Sequence, residues 1–240
     1  MRINLITGGL LKRGRFEEGP NPMSMNDSEL GKALRLFRRR IDSLDNDVQR
    51  CLCDIPHGPG PAFFPAAMYC FSTLDYFSSH FAGWNKPGPS KDQTARLIDF
   101  MCRFLLYGSK ESTLAVHFWR HKLMHTAEPR ELRNKDNDEV YVWKTGTGLD
   151  HHMELSPVGE QRFRLDFDPV EFVEDLRTAI LGPSGYFEKL RGSTDLQKKY
   201  QACFNEMNNY SVSFNDSGVA SVDGAPSQQA DLPSRSSDDG

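Results

Sequence analysis

Leu30, Leu34, Phe37, Ile41, Leu44, Val48, Leu52 and Ile55 recur at steps of three and four over residues 28–55. That near-heptad spacing draws one apolar stripe along a helix, and the stripe needs an apolar cover. Ser28 or Asp27 is expected to cap this helix. Arg38, Arg39 and Arg40 are followed by Asp42, Asp45 and Asp47, a pattern that reads as a solvated, self-compensated face.

The rest of the chain extends the helical theme. Pro56-His57-Gly58-Pro59-Gly60-Pro61 marks a loop, and a second helix is expected from about Ala62 to Ala82. Phe63, Phe64, Met68, Phe71, Leu74, Phe77 and Phe81 surround most of that helix, so it should be central. Asp75 lies inside it. A carboxylate buried there requires a partner, and a cation from another helix is the natural one. After a break at Asn85–Ser90, a third helix is expected over Asp92–Leu106. A fourth should open at Ser109 or Ser112 and run to roughly Ala127, before Pro129.

The pattern then changes. Glu139–Lys144, His151–Leu155 and Gln161–Phe167 read as three short strands with Gly146, Gly148 and Gly159 in the connections. Asp168-Pro169-Val170-Glu171 combines an N-cap, a proline at the first helical position and a capping-box glutamate. That helix should reach Ile180 or Leu181, and a last helical piece is expected at Thr194–Asn208. The fold class is therefore mainly α: a helical bundle with a small antiparallel β insertion before the last helices. Residues 1–26 read as a flexible leader and 27–208 as the domain, with strands near 139–167. Residues 209–240, rich in Ser and Asp and carrying net charge −4, read as a disordered tail.

Composition removes several classes. No run of eighteen apolar residues is present, so no membrane partner is expected. Met1–Leu11 is faintly apolar but broken by Thr7, Gly8 and Gly9, with no small-x-small cleavage site, which argues against a signal peptide. Met23 and Met25 are later candidate starts. The five cysteines, odd in number and mostly in helical stretches, suit reduced thiols in a cytoplasmic protein. No Walker sequence and no Gly-x-Ser-x-Gly occurs, and no cofactor is expected.

Chemistry concentrates in Arg120-His121-Lys122-Leu123-Met124-His125. An arginine supplies a permanent cation, and a histidine five residues on can exchange protons near neutral pH. Residues 110–135 hold six basic against three acidic residues, a balance that permits an anionic ligand. On an ideal α-helix, however, Arg120 and His125 stand ~140° apart. Val116, Trp119, Leu123 and Ala127 form one apolar stripe of this helix, and Leu114 and Phe118 start another that continues into His121 and His125. With both sides covered, a second copy of the chain is a natural source of one cover and of a shared cleft.

The hexapeptide resembles the Arg-x(4–6)-His motif of HEPN domains, with a polar residue after the arginine; Phe118–His125 as a whole resembles the motif helix of uncharacterised HEPN-like proteins. The helical pattern around it spans about 28–128. The resemblance implies a helical bundle that dimerises through its motif helix and acts on RNA. Its action would be that of a metal-independent endoribonuclease or an RNA-binding protein, of a toxin or defence type with an antitoxin or regulatory partner. It implies catalytic roles for Arg120 at the scissile phosphate, His125 as general base or acid, and His121 as the orienting polar residue, with Lys122 as a phosphate contact. The alternative is a noncatalytic helical dimerisation or interaction module in which Arg120 pairs with Asp75 or Glu111. A zinc reading rests on His117, His121 and His125 at intervals of four, but three ligands on one straight helix do not reach one ion comfortably, and Lys122 stands where a His-Glu-x-x-His glutamate would be. No metal ligand is assigned.

Overall fold

The computed structural model describes residues 24–53, 61–83, 90–123, 131–208, 211–214 and 220–223. Ile55, His125 with the rest of residues 124–130, the Pro-rich stretches near 56–60 and 85–89, residues 1–23 and most of the acidic tail lie outside them.

The first helix, α1 (Asp27–Leu52), is capped by Asn26 rather than by Asp27 or Ser28. The reason is spacing. Only Asn26 has a glutamate three residues on, so its side chain accepts from the Glu29 N–H at 3.0 Å while Glu29 accepts from the Asn26 N–H at 2.9 Å. Residues 24–26 are therefore part of the fold, not of a flexible leader. The Met25 N–H also donates to the buried Gln197 side chain at 2.9 Å, tying the start of α1 to the last helices. Of the expected stripe Phe37, Ile41, Leu44 and Val48 are buried and Leu30, Leu34 and Leu52 half-buried, with Ala33 buried beside them.

Helix α2 (Phe63–Ala82) is central, as its all-round apolar character requires. It packs against α1, against α3 (Ser90–Phe100), against α5 (Pro169–Leu181) and against α7 (Thr194–Asn208). It ends at Gly83, whose φ of +67° is left-handed; a Cβ there would meet the Lys199 side chain at 2.8 Å. Helix α3 continues into a π-helical stretch, Met101–Leu105. Helix α4 (Ser109–Ala115) likewise continues into a π-helical segment, Val116–Lys122. The short α6 (Tyr186–Gly192), absent from the sequence reading, joins α5 to α7.

Between the two helical groups lies a four-stranded sheet of β1 (Leu132–Arg133), β2 (Val140–Thr145), β3 (Leu155–Gly159) and β4 (Arg162–Phe167), in the order β1-β2-β4-β3. It is mixed rather than antiparallel throughout. β4 pairs antiparallel with β3 but parallel with β2 along their whole length. The chain leaves β2 at Gly146, crosses to the outer edge, and returns through a tight turn, so β4 inserts between its predecessors. Of the strand expected at His151–Leu155, His151–Met153 form a turn in which His152 makes an isolated bridge to Asp166, and β3 begins only at Leu155. Two further strands, β5 (Ser211–Phe214) and β6 (Ala220–Asp223), pair antiparallel within the stretch expected to be disordered. Average composition concealed the short alternating runs that form them. No helix among the described residues is long and apolar enough to cross a membrane.

Two aromatic groups fill the core. Phe37 packs against Phe77, Tyr186 and Tyr200 at centroid distances of 5.3, 5.6 and 5.7 Å, joining α1, α2, α6 and α7. Trp119 lies 4.7 Å from Phe167 and 6.2 Å from Phe71, joining the π-helical segment to β4 and α2. Phe37→Ala is expected to cost ~3–5 kcal/mol, the range for emptying a buried aromatic site, and Asn26→Ala only ~1 kcal/mol, a lost cap. Urea denaturation of the two variants measures both, and equal losses would contradict this ranking.

Candidate functional site

The site is built around the segment in which the helix changes pitch. The Val116 N–H is shared between the carbonyls of Ser112 and Thr113, and the Leu123 N–H reaches back five residues to Phe118. Bonding of the i→i+5 kind widens the turn and moves positions five apart toward one face. The ideal-helix wheel therefore does not apply within Val116–Lys122. Trp119 holds the segment in place: it is fully buried, and its indole N–H donates to the Thr145 hydroxyl of β2 at 3.1 Å. Leu114, Val116, Phe118 and Leu123 are also buried within the single chain. These apolar faces thus have their covers already and do not depend on a second copy.

Arg120, next to the Trp119 anchor, emerges at the edge of this packing. Its Nε donates to Asp75 Oδ2 at 2.7 Å and its Nη2 to Gln93 Oε1 at 3.1 Å. Asp75 Oδ1 accepts from Arg96 Nη2 at 3.2 Å. The cation that the Asp75 carboxylate required is thus supplied twice, from α3 and from the segment after α4. The cluster is not sealed. The Arg120 side chain is 19% exposed and Asp75 29%, while Arg96 is 9%.

His121 is half-buried, and its Nε2 lies 2.8 Å from the Thr94 hydroxyl of α3. Its ring stands 5.4 Å from that of His117, a surface residue whose pKa is lowered by partial desolvation beside the bundle and by the Lys122 charge. Lys122 is exposed. Arg120, His121 and Lys122 therefore share one rim of the bundle with Gln93, Thr94 and His117. His125 lies outside the described residues. Among the described residues no three His, Cys, Asp or Glu side chains are grouped so as to hold a metal ion.

Gln93, Thr94 and Arg96 carried no distinguishing signal in the sequence beyond lying on the polar side of α3. A second polar cluster was equally hidden, because its members come from three separate elements. The Tyr107 hydroxyl donates to Asp175 Oδ2 at 2.5 Å and lies 3.0 Å from His152 Nε2, while His152 Nδ1 accepts from the Asp168 N–H at 2.9 Å. That last bond changes the expected start of α5. Asp168 caps the helix as expected, accepting from Val170 and Glu171, but its own N–H goes to His152 and not to Glu171 in a reciprocal capping box. An acceptor role for Nδ1 places the ring proton on Nε2, facing Tyr107. Burial and the Asp175 charge push the Tyr107 hydroxyl well above its ordinary range.

No family model matches this sequence, and neither a curated protein nor a solved structure matches it.

Burial lowers the pKa of both His152 and His80, the latter donating from Nδ1 to the Tyr76 carbonyl at 2.9 Å. Above about pH 6.5, the ordinary histidine value, both rings are neutral folded or unfolded and contribute no pH dependence. Below it the unfolded chain binds protons that the folded chain resists, so stability is lost as pH falls toward the folded values. Tm is expected to drop between about pH 7 and 5, and less steeply in His152→Gln and His80→Gln. An unchanged slope in both variants would assign the acid sensitivity elsewhere.

Proposed function

We propose that this protein acts on RNA as a HEPN-like helical bundle, binding the sugar-phosphate backbone at Arg120 and cleaving it without a metal. The observation that supports this most is the π-helical pitch of Val116–Lys122. It places Arg120, His121 and Lys122 in an irregular turn, and single π turns inside helices recur at functional positions. The partial exposure of Arg120 adds to it, since a phosphate can approach a partly exposed guanidinium but not one closed in a core.

In this reading Arg120 neutralises charge building on the non-bridging phosphate oxygens. His125 takes the proton from the ribose 2′-hydroxyl, whose oxygen attacks phosphorus while the bond to the 5′-oxygen breaks and that oxygen takes a proton from water. The products are a 2′,3′-cyclic phosphate and a 5′-hydroxyl. His121, held by Thr94, orients the reacting groups, and the exposed Lys122 adds a phosphate contact. The protein would work in the cytoplasm as a homodimer joined along the polar rim of its motif helices rather than their buried apolar faces, in a toxin or defence role restrained by an antitoxin or regulatory partner.

A specific observation favours the second reading, a noncatalytic interaction module. The ion pair of Arg120 with Asp75 is the bond a structural arginine would make. Purified full-length protein incubated with mixed RNA in EDTA separates the two. Cleavage is expected, with loss on the order of 100-fold or more in Arg120→Ala, as when a group stabilising transition-state charge is removed, and comparable loss in His125→Ala. Both variants should keep the wild-type circular dichroism spectrum. Intact RNA in every lane, with no RNA binding, would leave the interaction module standing; activity abolished by EDTA would turn the reading toward a metal.

A further inference from the structure

The carboxylate of Asp75 is used from both sides. One oxygen meets Arg120 Nε from the segment after α4, and the other meets Arg96 Nη2 from α3. Gln93, one helical turn before Arg96, accepts from the same Arg120 guanidinium. The result is a continuous chain, Arg96–Asp75–Arg120–Gln93, that crosses three helical elements. We infer that Asp75 and Gln93 are positioning residues of the RNA site, holding the Arg120 guanidinium plane in the orientation that receives a phosphate, and that Arg96 locks the Asp75 carboxylate in turn. This rests on the proposed action on RNA.

Three features carry it. A guanidinium is a rigid planar fork, so bonds at Nε and Nη2 fix its plane and turn the Nη1 side away from Asp75. An arginine anchored at one atom would sweep through many rotamers, and ordering it on binding would cost free energy. Second, Asp75 projects from a helix whose neighbours Leu74 and Phe77 are fully buried. Its main chain is held as well, since the Asp75 carbonyl accepts from the hydroxyls of Ser78 and Ser79 at 3.1 and 2.7 Å. The carboxylate is thus presented from a rigid element. Third, the exposure is graded from 9% at Arg96 to 19% at Arg120, so the inner arginine supports while the outer one stays reachable. A purely structural ion pair would need one arginine; the second arginine and the glutamine add orientation.

The test is a double-mutant cycle on the full chain, using a fluorescent single-stranded RNA oligonucleotide. Asp75→Asn is expected to lower kcat on the order of 10- to 100-fold, as for a misplaced catalytic group, with a smaller change in KM. Asp75→Glu should recover part of the loss. In an Arg120→Gln background, Asp75→Asn should have no further effect on kcat, because Asp75 acts through Arg120; a merely structural role would still lower the folded fraction there. Gln93→Leu removes the other anchor without touching the ion pair, and decides the matter if Asp75→Asn does not fold. Unchanged kcat per folded molecule in Asp75→Asn and Gln93→Leu would overturn the inference while leaving action on RNA intact. Wild-type protein that neither binds nor cuts the oligonucleotide would overturn the functional reading, and the inference with it.

Discussion

Burial of Trp119 is the constraint on which the rest of this structure turns. The indole is enclosed by Phe71 of α2 and Phe167 of β4, with Phe172 of α5 completing the group through both phenylalanines. A large apolar ring with a single polar atom can be buried this deeply only if that atom finds an acceptor, and Thr145 supplies it. One side chain therefore joins helix, sheet and following helix. It also sets the depth of everything adjacent to it in sequence, and Arg120 is adjacent.

The polar rim follows from that depth. With Trp119 inside, Arg120 is carried to the boundary of the core, where its guanidinium must be paired or hydrated. Asp75 faces the same boundary from the central helix. Neither could have been left alone, and the π-helical widening between Val116 and Lys122 lets both the buried tryptophan and the paired arginine be accommodated in consecutive positions. A locally irregular helix is thus tied to a chemically dense patch. The sheet contributes indirectly: β2 and β4 form the floor against which the irregular turn is held.

Much of the architecture was legible because it depends on periodicity. The stripe from Leu30 to Leu52, the all-round apolar α2 and the Asp168-Pro169 start are local patterns with one good structural solution. The failures have equally physical causes. Asn26 took the cap from Asp27 and Ser28 because a glutamate lay three positions ahead. The Asp168 N–H went to His152, from a turn sixteen residues upstream, so no local rule could find it. The parallel pairing of β2 with β4 depends on how the chain crosses the sheet, and strand propensity carries no information on that. At the candidate site, Asp75 announced its need for a cation from another helix, and Arg120 was one such candidate. Arg96, Gln93 and Thr94 were silent, being ordinary polar residues on an amphipathic helix.

The amino-acid sequence by itself determined the helices, the apolar faces they must hide and the need of Asp75 for a positive partner, because each follows from residue spacing and the cost of burying charge. Tertiary structure alone decided which cations answered, how the helix pitch changed at Val116, and how far Arg120 stands from solvent. Those outcomes depend on packing three elements around one tryptophan, and helix pitch and solvent depth are set by neighbours far apart in the chain.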